Sequence, residues 1–330
     1  MAANDEMGAT LTSTQQLLLL HSVPHIGEKT IARLLRLTTQ NRFSLEKLLT
    51  LEAGELCQRY ELSQEVGAYL ANNRAILLQS SAELAKTLRQ FDVQVRSIEE
   101  VGYPHLLDQY EDAPPPLLYL LGNSSLLIPS SPEMVARSDQ RISAKTTTVY
   151  QSTSSPLQFT YTIAVSNGAD IKTMMRLEAI SNEQLQKGGV PVTGHDRSPY
   201  QRLALTAQRR NSPTIYLLNR GLREALGPSF DRAPFAAARI RDAFFETSRD
   251  LAISAFRLDD HSIGANNRRR DRLIFSLSEK IIALEVRAGG TMYAECLRAF
   301  KQGRDVSVVK SEQEGNQALV EHGCPEYILT

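Results

Sequence analysis

The chain has 330 residues, 42% of them hydrophobic, and its 37 basic residues balance its 37 acidic ones. This length predicts one large α/β domain with a smaller accessory domain, and the apolar content is sufficient for a substantial core. Three cysteines lie far apart without metal-ligand spacing, which argues against a disulfide framework or a zinc site. No apolar run is long enough to span a bilayer and the polar start lacks a signal pattern, so a cytoplasmic protein without membrane association is expected.

The first part of the chain is predicted to be helical. Residues 1–12 are expected to be disordered, and residues 13–91 to form a helical domain that ends in a long amphipathic helix or broken pair after the N-cap Ser63. Residues 17–37 resemble a helix-hairpin-helix motif, whose turn around Gly27 would offer backbone N–H groups to a nucleic-acid phosphate, with Lys29 and Arg33 adding charge. The net negative charge of the chain up to Gly122 favours the alternative, a hairpin that only packs.

The second part of the chain alternates strands with helices. Residues 92–122 are predicted to form a junction with a strand at 93–98 and a proline-rich entry to a further strand, which the prolines place at the start or edge of a sheet. Residues 123–330 carry apolar runs at 161–165, 213–218, 251–256, 281–286 and 306–309, predicting a Rossmann-like α/β domain with a doubly wound, mostly parallel sheet. Residues 143–158 and 188–198 are predicted to be surface loops, with His195 solvated, and residues 235–248 to be a helix.

The strongest functional pattern lies between residues 267 and 309. Four arginines (Arg268, Arg269, Arg270, Arg272) open a predicted short helix, an apolar strand follows, and Gly289-Gly290-Thr291 then begins the next helix. In a parallel sheet, ligands bind at the carboxyl ends of the strands, where N–H groups of a helix start favour an anion and glycines allow it to approach closely. The guanidinium fork suits phosphate oxygens. The pattern therefore predicts a phosphate-binding site, the alternative being a tight turn with a solvated basic helix start.

Several segments together resemble the DNA-processing protein A (DprA/Smf) family. They are Y-P-H-L-L from Tyr103, A-P-P-P-L-L-Y-L-L-G from Ala113, R-D-R-L-I from Arg270, G-R-D-V from Gly303 and E-G-N-Q-A-L-V-E-H-G from Glu314. In the middle the match is weaker: Met134 to Ser143 falls where the family has VA.VGSR..S, and Val165 to Lys172 where it has SG.A.GID. Asp271 stands where the family usually has Asn, and is expected either to orient the arginines or to weaken DNA binding.

The resemblance implies a DNA-binding protein, not an enzyme. It implies single-stranded DNA held in a basic groove, loading of a RecA-type recombinase during natural transformation, and a homodimer formed through the nucleotide-fold domain, with no cofactor, metal or catalytic residue. Tyr293 is expected to stack a base. The predicted phosphate-binding residues are Arg268, Arg270, Arg272, Gly289, Gly290, Thr291, Arg137, Ser166, Gly168 and Lys172.

Two alternatives remain open at the level of sequence. Gly-Gly-Thr followed by Glu295 also resembles the wider superfamily of LOG proteins and nucleotide-sensing SLOG domains. A LOG-type enzyme would use Glu295 with an arginine to cleave the glycosidic bond of a nucleotide, although the fuller P-G-G-x-G-T-x-x-E pattern is absent. The other alternative is a small-nucleotide sensor or a protein-interaction scaffold.

Overall fold

The computed structural model describes residues 12–40, 45–100, 102–128, 158–232 and 244–329. The chain forms two compact units. The first comprises Met1–Tyr103 and Ala113–Tyr119, and the second Pro104–Asp112 and Leu120–Thr330. Within the described ranges, no helix combines the length and the apolar character that crossing a membrane requires.

The described residues of the first unit form helices and a strand. They are α1 (Ser13–Ser22), α2 (Glu28–Thr39), α3 (Leu45–Leu48), α4 (Ala53–Tyr60), α5 (Gln64–Asn72), α6 (Arg74–Gln90) and β1 (Val93–Ser97), after which β2 (Leu117–Gly122) leads into the second unit. Helix α1 packs against α6 and buries four consecutive leucines, Leu17 to Leu20. Ser63 caps α5, as predicted, by accepting a hydrogen bond from the amide of Val66 at 3.3 Å.

The predicted helix-hairpin-helix segment uses its charge internally. Gly27 is the N-cap of α2, and His25 occupies the turn with a φ of 59° and lies 3.2 Å from the carboxylate of Glu65. The guanidinium of Arg33 donates to the Glu61 carboxylate and, at 2.7 Å, to the carbonyl of Tyr60. These contacts support the alternative in which the hairpin packs, since Arg33 is engaged by its own unit.

The second unit alternates strands and helices along the chain. Its helices are α7 (His105–Tyr110), α8 (Ile171–Gln186), α9 (Ser198–Gln208), α10 (Leu222–Leu226), α11 (Gly264–Leu277), α12 (Thr291–Lys301) and α13 (Glu314–Glu321), with a short 3₁₀ turn at Ser124–Leu127. Its strands are β3 (Phe159–Val165), β4 (Gly189–Thr193), β5 (Ile215–Leu217), β6 (Leu251–Ser254), β7 (Lys280–Glu285), β8 (Asp305–Val309) and β9 (Glu326–Tyr327).

The strands of this unit lie in the order β6-β5-β4-β3-β7-β8-β9. Every neighbouring pair from β6 to β9 is parallel. The chain starts the parallel sheet at β3, moves outward through β4 and β5 to β6, and then returns to the other side of β3 with β7. This order confirms the predicted doubly wound Rossmann-like fold and places its switch point between β3 and β7, where such sheets bind ligands.

Helices cover the two faces of the sheet. Because crossovers between parallel strands are right-handed, the β3–α8–β4 and β7–α12–β8 units, which run in opposite directions, place their helices on opposite faces. On the first face, α8 and α9 bury Leu177, Ile180 and Leu203 against side chains of β3 and β7. On the other face, Thr160 of β3 donates to the carbonyl of Leu277, at the end of α11, at 2.7 Å.

The prediction for residues 188–198 was wrong. Residues 189–193 are β4, a fully buried strand at the centre of the sheet, and α9 begins at Ser198. His195 is buried, not solvated. Gly189 and Gly194 are typical of loops, yet residues 189–191 pair in register with residues 159–161 of β3.

Three other predicted segments fall mostly or wholly outside the described residues. These are the disordered start, the loop at 143–158 and the helix at 235–248. Of that helix, residues 244–248 are described and are not helical.

Candidate nucleic-acid interface

The turns after β3 and β7 meet at the switch point of the sheet. The amide of Ser166 donates to the carbonyl of Glu285 at 2.8 Å, and the hydroxyl of Ser166 accepts from the amide of Arg287 at 3.0 Å. Gly168 follows in an exposed position with a φ of 83°, in the left-handed region that favours glycine. Ser166 therefore joins the turns after β3 and β7, both of which contain predicted phosphate-binding residues.

Among the described residues, no side chain caps the start of helix α12. Gly289 has a φ of 70° and would have open space around an added Cβ, and Gly290, the N-cap, makes no side-chain hydrogen bond to the helix. The first turn holds no acidic residue, and Thr291 is exposed. The first amides of a helix have no partner within it and carry the positive end of its dipole. This end of α12 is thus chemically suited to an anion.

Helix α8 begins differently, although it follows the neighbouring strand. Its N-cap Asp170 accepts from the amide of Thr173 at 2.7 Å, and the hydroxyl of Thr173 donates to the carboxylate of Glu285. The amide of Thr173 lowers the pKa of Asp170 and so favours its charged form. Two carboxylates therefore lie at the start of α8, and Lys172 is an exposed cation in its first turn. An external anion is better placed at α12.

The prediction that Arg270 binds phosphate requires correction. Its side chain is fully buried, at 0% exposure. Its Nη1 and Nη2 donate to the two carboxylate oxygens of Asp196 at 2.6 and 3.3 Å, and its Nε donates to Asp271 at 2.8 Å. The same oxygen of Asp271 accepts from the hydroxyl of Tyr200 at 2.6 Å. Arg270 is therefore an internal counterion of two carboxylates and does not face a ligand.

Arg272 is also committed to an internal cluster. Its Nε donates to Glu111 at 2.8 Å and its Nη2 to Asp112 at 2.7 Å. Glu111 is fully buried and lies 3.4 Å from Arg298 as well. The arginines belong to the body of α11, which starts at Gly264, so successive guanidinium groups point in different directions around the helix. Of the three predicted arginines, Arg268 is the one that is exposed.

Arg197 is a residue of this edge that the sequence analysis missed. It precedes α9, just after the unpredicted strand β4, and its side chain is 19% exposed. Its guanidinium donates to Asn167 at 3.4 Å and to Asp271 at 3.2 Å, and it lies 4.2 Å from the ring centre of Tyr200. Arg197 thereby connects the turns after β3 and β4 with α11. Recognition of β4 would have placed it at the carboxyl edge of the sheet.

Burial shifts the ionisation of the residues before Arg197. Burial is the main cause that lowers the pKa of His195 to about 4, so the ring is neutral near pH 7. For Asp196, burial raises the pKa, but the hydrogen bonds and charge of Arg270 outweigh it and hold the value below the ordinary range. The side-chain amide of Asn219 is a third donor to the Asp196 carboxylate, at 3.2 Å. Arg197, Arg270, Asp196 and Asp271 therefore form a cluster at the carboxyl edge in which the positive and negative charges neutralise one another.

Of the two middle segments compared with the family, Val165 to Lys172 runs from the end of β3 into the start of α8. Arg137, which was assigned to the first motif, lies outside the described residues.

The residues proposed for LOG-type catalysis are not arranged for it. The carboxylate of Glu295 accepts from Nε of Arg298 at 2.7 Å, and Arg298 in turn donates to the carbonyl of Tyr110 at 2.9 Å. Arg298 also donates to Glu111 at 3.4 Å, so it links Glu295 to the Glu111 cluster. Among the described residues, no group of three or more His, Cys, Asp or Glu side chains could hold a metal ion.

Comparisons with known proteins identify the fold. No protein-family model and no curated protein matches the sequence. The X-ray structure of DNA processing protein A from Streptococcus pneumoniae superposes with a TM-score of 0.66 at 18% identity, covering 96% of this chain and 95% of that one. DNA processing protein A from Helicobacter pylori, studied for its single-stranded DNA binding mode, gives a TM-score of 0.49 at 18% identity over 72% of this chain and 92% of that one. The chain therefore has the fold of DNA processing protein A, in agreement with the resemblance that its sequence segments show.

Proposed function

We propose that the carboxyl edge of the second unit binds single-stranded DNA. The observation that supports this most directly is the uncapped start of α12, where the first amides of the helix follow an open glycine turn. Arg287, which immediately precedes this turn, is exposed, as is Arg268 on α11. Helix-start amides and guanidinium groups both recognise phosphate oxygens without reading the base.

The residues of the site divide into contacts and supports. Gly289, Gly290 and Thr291 would hold a phosphate through their amides, with Arg268 and Arg287 as flanking cations. Ser166 and Gly168 shape the adjoining turn, Lys172 extends the basic surface, and Tyr293 supplies an aromatic ring for a base. Arg270, Arg272 and Arg197 act as supports that fix the helices behind the edge.

The resemblance and the shared fold support a proposal for the biological role. We infer that the protein is a cytoplasmic recombination mediator in DNA uptake, which loads a RecA-type recombinase onto single-stranded DNA and works as a homodimer without enzymatic activity. A loading assay would follow the rate at which a RecA-type recombinase covers protein-bound oligo-dT. Sedimentation of the purified chain would measure its oligomeric state.

Fluorescence anisotropy with labelled oligo-dT over a salt series tests DNA binding. Phosphate contacts make log Kd vary linearly with log salt, and removing one of them reduces the slope by about 0.7 for single strands. Arg268→Ala and Arg287→Ala should each weaken binding and flatten the slope by that amount. Thr291→Asp places a carboxylate in the first turn of α12, which favours the helix but repels phosphate, so it should weaken binding without destabilising the fold.

Lys301→Ala is the matched control for all three variants. Lys301 is exposed in the last turn of the same helix, and its replacement changes the net charge by the same amount. Equal weakening by Lys301→Ala would mean that overall charge, and not the start of α12, governs binding. Absence of binding by the wild type at low salt would reject the proposed function.

A further inference from the structure

A groove with an apolar floor lies on the face of the sheet that α8 covers. Its volume is about 320 Å³. The apolar side chains that line it are Met175, Ala179, Ile180, Val309, Tyr327 and Leu329. Helix α8 packs on β3, β4 and β7, and beyond it the groove is floored by Val309 of β8 and Tyr327 of β9, the last strand of the sheet. The groove therefore lies beside α8, over the strands β8 and β9.

Large apolar side chains around this groove are exposed to water. Met175 is 68% exposed, and Ile171, one turn earlier on α8, is 81% exposed. On the other side, Leu329 is 53% exposed. Singly exposed apolar residues are common, but a cluster of three around one groove is typical of a surface that another molecule covers.

The polar part of the groove is cationic. Lys172 and Arg176, one turn apart on α8, are its remaining lining residues, and none of the described lining residues is acidic. Arg176 donates to the backbone carbonyl of Lys310 at 3.1 Å, which fixes its position without neutralising its charge. Below the rim, the hydroxyl of Tyr327 donates to the carboxylate of Glu183 at 2.7 Å, and Glu183 is already paired with Lys187. Asp170, the N-cap of α8, interacts electrostatically with Lys172 but does not line the groove. The described lining therefore offers positive charge beside apolar surface.

We propose that this groove binds an acidic, apolar-containing segment of a partner protein. Such a segment would place its apolar side chains against Met175 and Leu329 and its carboxylates near Lys172 and Arg176, which is the recognition of an amphipathic peptide in a groove. A second copy of this chain is disfavoured, because a twofold interface would bring the cations of both copies together. Single-stranded DNA is disfavoured, because Tyr327, the aromatic residue among the described lining residues, is held by Glu183 and Gln184 and stacking platforms use accessible rings.

Two designed peptides test this assignment by anisotropy. Both are about 14 residues long, the length at which a helix becomes marginally stable, and share leucines at helical spacing. One peptide carries glutamate at the positions between the leucines, and the control peptide carries lysine at the same positions. The wild-type chain should bind the acidic peptide at least about tenfold more tightly, an advantage that corresponds to about 1.4 kcal/mol.

Charge reversal makes the test specific. Lys172→Glu combined with Arg176→Glu should invert the preference, so that the lysine peptide binds more tightly. Met175→Asp should weaken both complexes, and Lys301→Ala should change neither. Thr291→Asp should retain peptide binding, which separates this proposal from DNA binding at α12.

Three results would overturn the proposal. The first is equal binding, or no binding, of the two peptides to the wild type. The second is displacement of the acidic peptide by oligo-dT together with failure of Met175→Asp to bind oligo-dT, which would place nucleic acid in the groove. The third is self-association of the wild type that Met175→Asp abolishes, since this would identify the groove as an interface between two copies.

Discussion

Replacing Arg270 by methionine tests whether this arginine supports the fold or contacts the ligand. Methionine preserves much of the side-chain length in a fully buried position, but it removes three charge-assisted hydrogen bonds to Asp196 and Asp271. Both carboxylates lose their main counterion, and Asp271 is itself buried. Removing one partner of a buried ion pair costs about 3–5 kcal/mol, because the remaining charge is left uncompensated. We therefore expect the free energy of unfolding near pH 7 to fall by about that much.

The pH dependence of this destabilisation has a definite sign. In the wild type, burial raises the pKa of Asp196 but Arg270 holds it below the ordinary value. A carboxyl with a lowered folded pKa stabilises the fold above its unfolded pKa, and that contribution disappears as pH falls through the folded value. In the variant, Arg270 no longer offsets the effect of burial, so the pKa of Asp196 rises and its carboxyl takes up a proton at a higher pH. The stability difference should therefore be largest near neutrality, begin to narrow above the ordinary Asp pKa of about 4, and continue to narrow below it.

Urea unfolding followed by circular dichroism, at pH 7 and at stepwise lower pH, measures both effects. Adding Asp196→Asn to Arg270→Met should recover part of the stability, because it removes one uncompensated charge. A variant as stable as the wild type that nevertheless fails to bind oligo-dT would refute this reasoning, since Arg270 would then be acting on the ligand.

Two further substitutions probe the elements behind the site. Gly315→Ala should lower the free energy of unfolding by about 1–3 kcal/mol, because the added Cβ would lie 2.3 Å from the carbonyl oxygen of Val286. Gly54→Ala, where an added Cβ meets open space, is the control. Equal melting temperatures for the two variants would contradict the expected clash. Asp271→Asn should lower the free energy of unfolding by about 1–3 kcal/mol. It should also tighten oligo-dT binding, because the charge of Arg197 is then no longer offset by the Asp271 carboxylate. Weaker DNA binding by a stable variant would show instead that Asp271 orients the residues of the edge.

The fold could be predicted from the sequence wherever a strand is a continuous apolar run. Strands β3, β6, β7 and β8 have this form, and their alternation with helices was enough to predict the doubly wound sheet. Strand β4 could not be recognised locally, because Pro191 and the glycines before it resemble a loop. Its strand conformation is imposed by parallel pairing with β3 on one side and β5 on the other, and this information lies in tertiary context.

The candidate site was predicted only in part for a related reason. The uncapped glycine turn before α12 is a local feature, and the sequence shows it directly. The partners of the arginines are remote: Asp196 lies 74 residues from Arg270, and Glu111 lies 161 residues from Arg272. A run of arginines predicts positive charge, but only the fold determines which guanidinium groups are neutralised by buried carboxylates.

The late residues that resemble the DNA-processing family mostly hold the sheet together. Arg304 donates to the carbonyls of Ser276 and Ser278 at the end of α11, and burial lowers its pKa to about 10. Asn316 accepts from the amide of Val286 at 2.8 Å and donates to the carbonyl of Val309 at 2.8 Å, so it joins the ends of β7 and β8. Since these motif residues act within the protein, their resemblance is evidence for the fold. Evidence for DNA binding has to come from the residues that the fold leaves exposed around the start of α12, and the charge-matched variants there test the function separately from the fold.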